Sequence, residues 1–150
     1  MGIEAIRAFF SPKPSREGEP ARPDAVTVAA CALLLEIAHA DDVFVPEERD
    51  RIARHIRDEM HVSEDQLQDV FRLAEEQRRE SVDLYQFTQL LRESLSREQR
   101  LKLVEAIWGV VYSDGSLSGV EGHLARRIAE LLGFQHPDVQ AAKERVAERS

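Results

Sequence analysis

The chain has 150 residues, enough for one domain of ordinary size that buries a core without disulfide or metal staples. Apolar residues make up 43% and charged residues 32%, a balance that excludes a disordered chain. The net charge of −8 argues against nucleic acid as a partner, because duplex binding starts with neutralising phosphates, and it favours cations or basic protein surfaces.

The opening MGIEAIRAFF has the spacing of a short amphipathic helix, with Ile3, Ile6, Phe9 and Phe10 on its apolar side. Two readings of it stand: a terminal helix docked on the body, or a tail whose Phe9 and Phe10 engage a partner or, weakly, a membrane surface. Residues 11–23 contain Pro12, Pro14, Pro20, Pro23 and Gly18, a composition that breaks helices and reads as a linker. Residues 1–23 are therefore expected to be an N-terminal segment and flexible linker, and residues 24–150 the folded domain. The apolar run from Ala29 to Leu35 stops at Glu36, far short of the roughly 20 residues of a membrane span. No export signal is visible, and the single cysteine, Cys31, lies in an apolar helical stretch and reads as a small buried hydrophobe. A cytoplasmic location is expected.

Helix punctuation is clear through the body. Asp24 is a good N-cap for a helix to about Ala40, and Pro46, followed by Glu47 and Glu48, suits the start of a second. Ser63-Glu64-Asp65-Gln66 forms a capping box for a third helix that ends near Arg79. Residues 82–95 carry Val82, Leu84, Tyr85, Phe87, Leu90, Leu91 and Leu95 at helical spacing. Ser96-Arg97-Glu98-Gln99 opens a helix to Ser113, Ser118-Gly119-Val120-Glu121 opens one that Gly133 should terminate, and Pro137 starts the last. No stretch alternates with period two, so the spacing predicts an all-α, compact bundle of about seven helices.

Two segments resemble each other. Ala32 to Ile56 and Glu105 to Phe134 each hold an apolar helix, an acidic turn and a capped helix. At an offset of 73, Asp41 matches Asp114, Phe44 matches Leu117 and Glu48 matches Glu121; downstream the match slips by about one residue. Two copies suit an internally duplicated bundle whose units bury their apolar faces together. An Ala/Leu-rich helix ending in Ala-Asp-Asp, a short loop with an apolar residue and then Glu47-Glu48 resembles the TerB family of tellurite resistance. So does the second appearance as SDGSLSGVE followed by LARRIAELLGF, and the N-terminal domain of DjlA-type co-chaperones is similar. The first unit departs from the pattern with Asp42 where the family often has Gly. The resemblance covers about Val26 to the C-terminus. It implies a stress-response role, and it implies that acidic turn residues bind a divalent metal.

Asp41 and Asp114 each continue the apolar stripe of the helix before them, so each carboxylate needs donors or a cation. One reading is a hard-cation site built from Asp41, Asp42, Glu48, Asp114 and Glu121. The other is capping: Glu121 reaches back to Ser118, and Asp114 accepts from loop amides beside Gly115. Glu36-Ile37-Ala38-His39 has the Glu-x-x-His spacing of di-metal bundles, but only once, and His39 reads instead as a partly buried residue beside Val28 and Leu35. Trp108 and Phe134 read as core. No phosphate loop or nucleophile arrangement is present. The expectation is a non-catalytic, cytoplasmic stress-response module, with a divalent cation as its candidate cofactor. The alternative is an adaptor that docks a protein partner through its acidic surface or N-terminal tail.

Overall fold

The structure, a computed structural model, describes residues 24–40, 46–80, 84–112 and 119–149, with backbone only for 119–121 and 149. Among these residues seven helices follow in order: α1 Ala25–Ala38, α2 Pro46–Glu59, α3 Glu64–Glu80, α4 Tyr85–Ser94, α5 Arg97–Tyr112, α6 Gly119–Leu131 and α7 His136–Arg149. No strand occurs among the described residues.

The helix starts are set chemically. Asp24 accepts a hydrogen bond from the Val26 N–H at 3.3 Å, and Ser63 Oγ accepts from the Gln66 N–H at 3.4 Å. At α5 the box closes in both directions: the Gln99 N–H donates to Ser96 Oγ at 3.1 Å and the Ser96 N–H to Gln99 Oε1 at 2.9 Å. At α7 Asp138 accepts from the Gln135 N–H at 3.3 Å, so the helix begins at His136 rather than at Pro137. Such caps contribute about 1 kcal/mol each by satisfying otherwise orphaned amides. The described part of α4 starts at Tyr85, and the expected Val82 lies outside the described residues.

α1 is apolar all round, and every residue from Val28 to Leu35 is buried, so it must be surrounded. It packs against α2, α3, α4, α5 and α6. Full burial of Leu33, Leu34, Leu35 and Ile37 stabilises the fold by roughly 1.5–3 kcal/mol each. The other helices are one-sided; α7, for example, buries Val139, Ala142 and Val146.

The packing has an internal symmetry. When α1 is exchanged with α5, α2 with α6 and α3 with α7, every substantial helix–helix contact maps onto another, except those of α4. The pairs α1–α3 and α5–α7 correspond, as do α1–α2 and α5–α6, α2–α3 and α6–α7, and α1–α6 and α5–α2. α4 lies over α1 and α6.

Candidate functional site

The candidate cation ligands surround the junctions α1–α2 and α5–α6. Asp41, Asp42 and Asp114 lie outside the described residues, as do Phe9 and Phe10. Glu121 stands in the first turn of α6, with its side chain outside the description. Glu48, in the first turn of α2, is buried to 1% exposure. A carboxylate that deep requires hydrogen-bond donors or a cation beside it. Its helical start supplies a favourable dipole for the charge. Among the described residues no three His, Cys, Asp or Glu side chains come together as metal ligands.

Beside this junction the structure places an ion network that the sequence did not announce. His39 Nε2 lies 3.1 Å from Glu75 Oε1 on α3. Arg78, also on α3, contacts Glu75 at 3.2 Å and Glu36 at 3.6 Å. Glu36 and His39 thus turn toward α3, where an arginine and a carboxylate receive them. His39 is partly buried as expected, and its ring meets the Glu75 carboxylate. The signal that could have found this was the Glu75–Arg78 pair at i,i+3, and nothing local says which helix it will meet.

Two further groups are titrationally unusual. Burial pushes the Cys31 thiol far above its ordinary range, helped by the Glu75 carboxylate and opposed by Arg49, which leaves it unreactive. His55, on α2 against α5, is pushed down to about 4 by burial, with Glu59 and Asp58 opposing and Lys102 adding to the effect. It lines a groove of about 440 Å³ with Arg51, Arg54, Lys102, Glu105 and Gly109. Three of the groove's charges are paired, Lys102 with Glu59 at 3.3 Å and Glu105 with Arg145 at 3.1 Å.

An all-helical bundle with a largely buried first helix and acidic junctions at matching places defines a small helical module, with no helix among the described residues long and apolar enough to cross a membrane. A family model described as tellurite resistance protein TerB matches residues 27–144, and the chain belongs to that family. No curated protein and no solved structure matches it.

Proposed function

We propose that this TerB-family chain is a non-catalytic, cytoplasmic stress-response module that holds a divalent cation at its acidic junctions. The observation that carries the reading is the burial of Glu48 directly after the Asp41-Asp42 turn. An all-carboxylate donor set suits a hard cation, which oxygen ligands hold in flexible geometry. Asp41, Asp42 and Glu48 would supply one unit's ligands, and Asp114 and Glu121 the other's. The exchange symmetry of the helix contacts supports an internal duplication, which would give the two turns a common role.

Thermal unfolding with Ca²⁺, Mg²⁺, Mn²⁺ or Zn²⁺ against a chelator tests this. A cation that binds only the folded chain adds about 2.7 kcal/mol of stability at a hundredfold excess over its Kd. Asp41→Asn combined with Asp114→Asn should abolish that gain. A melting temperature indifferent to every divalent ion at millimolar concentration would leave the turn carboxylates as caps. The function would then pass to docking of a protein partner.

A further inference from the structure

On a chain with eight more acidic than basic side chains, three arginines gather at one corner with little counter-charge. Arg92 comes from the end of α4, Arg97 and Arg100 from the start of α5, and they surround the Gly133-Phe134 turn after α6. The Arg97 and Arg100 guanidiniums lie 5.0 and 5.7 Å from the centre of the Phe134 ring. A Cβ built on Gly133 would stand 2.9 Å from Arg100 Nη1 and 3.6 Å from Arg92 Cζ. Two guanidiniums therefore lie within 3.6 Å of one point. Like charges at that separation repel by an amount that water only partly screens.

The counter-charge in place is limited. Asp138 pairs with Arg97 at 3.3 Å, and Arg100 donates to the Leu132 carbonyl. Arg100 Nε is buried, with no hydrogen-bond acceptor among the described residues. No carboxylate among the described residues pairs with Arg92 or Arg100. Capping of α6 accounts for the Arg100–Leu132 bond but not for the cluster. The matching corner of the first unit, where the chain leaves α2 through His61 and Val62, has Asp24 and Thr27 at the positions of Arg97 and Arg100. Neither of these is an arginine, and Arg92 belongs to the one helix that has no counterpart. Burial, together with Arg92 and Arg97, also holds the Arg100 guanidinium below its ordinary value, as expected of crowded cations.

We propose that Arg92, Arg97 and Arg100 form a binding site for a multiply charged oxyanion of the phosphate class, seated at the Gly133-Phe134 turn. The planar guanidinium fork matches such an anion in two-toothed fashion. The N-terminal turn of α5, which bears Arg97, adds the positive end of its dipole. Gly133 keeps the space between Arg92 and Arg100 free of a side chain.

The test is calorimetric titration of the full chain with inorganic phosphate, against chloride at matched ionic strength. A phosphomonoester in a second titration separates free phosphate from an esterified group, according to which binds more tightly. Arg92→Gln with Arg97→Gln should weaken binding by at least roughly tenfold. Arg100 is left in place because it caps α6. Arg92→Lys keeps the charge and loses the fork, and should weaken binding severalfold without disturbing the helices. Arg51→Gln with Arg54→Gln, in the groove beside α5, should leave binding unchanged. Phosphate heat no greater than that of chloride overturns the site, as does equal binding by the Arg92/Arg97 variant or an equal loss in the Arg51/Arg54 control.

Discussion

Helices α1–α3 and α5–α7 occupy matching places, yet the two halves fill those places with different chemistry. At the end of α1 stand Leu35, Glu36 and His39, and the last two face charged groups on α3. The matching residues of α5 are Trp108, Gly109 and Tyr112. There the Trp108 and Tyr112 rings lie 6.3 Å apart, and Lys143 of α7 sits 5.2 Å over the indole. One seam is sealed by ion pairs and the other by aromatic volume. The difference follows from what covers each core helix. α4 lies over α1 and α6 and helps bury α1 on all sides. Its image over α5 and α2 is the open groove of about 440 Å³. A helix with one open side has fewer neighbours to fill its core-facing space, and a tryptophan supplies that volume from a single position.

The largest expected effect tests that idea. Trp108→Ala removes a side chain at 0% exposure and should cost about 3–5 kcal/mol in urea unfolding. Trp108→Phe should cost far less, since it keeps a ring and deletes a buried indole N–H with no acceptor among the described residues. If both variants lose the same stability, the indole N–H has a partner and the seam is not simply a volume effect.

The same contrast shows how much is legible in the sequence. Helix existence and most starts are legible because their signals are local: Asp24, Pro46 and the Ser63 and Ser96 boxes act within four residues of themselves. The α7 start is the exception, because Pro137 is the louder signal while the Asp138 side chain caps Gln135 and starts the helix one residue earlier. Trp108, Phe134 and Cys31 are legible as core from spacing alone. The family resemblance is legible because the acidic turns and the helix starts beside them are also local. The Glu36–Arg78–Glu75–His39 network is not legible, since it depends on where α3 crosses α1, 36 residues away from His39. The arginine corner is hidden for the same reason: Arg92, Arg97 and Arg100 look like ordinary exposed charges until α6 brings Gly133 among them. Of the candidate cation ligands, only Glu48 has a described side chain, and the spacing argument for burial pointed to the neighbouring aspartates rather than to it.

Acid should attack the boundary between the halves, where α2 meets α5. The unfolded chain protonates His55 near 6.5 and the folded chain near 4. Between those values the unfolded state holds more protons, so stability falls as the pH drops from about 6.5, and the loss is complete near 4. The gap between the two values sets the loss at about 3 kcal/mol at most. Urea midpoints measured across this range should decline in the wild type and flatten in His55→Gln. An unchanged slope in the variant would assign the acid sensitivity to other groups.

The smallest effect concerns how each half ends its second helix. α6 closes on Gly133 at φ +100, where the Gly133 N–H reaches the Glu130 carbonyl and the Phe134 N–H reaches that of Ala129. This left-handed stop suits a residue without a Cβ. With the one-residue slip between units, His61 falls opposite Gly133, and it too is left-handed, at φ 57. The first half thus also leaves its helix through a left-handed residue, without the two closing bonds seen at Gly133 and with a side chain that disfavours that angle by about 1–2 kcal/mol. Glycine at 61 would relieve that strain but add about 0.5–1 kcal/mol of freedom to the unfolded chain. His61→Gly should therefore raise stability by only about 0.5–1 kcal/mol, the difference of the two. Gly133→Ala should do the reverse and more, because its Cβ would also stand 2.9 Å from Arg100 Nη1. Paired urea titrations decide it. If His61→Gly instead lowers stability as much as Gly133→Ala does, the His61 side chain makes a contact worth more than its strain. The two helix ends would then be different devices that share only a backbone angle.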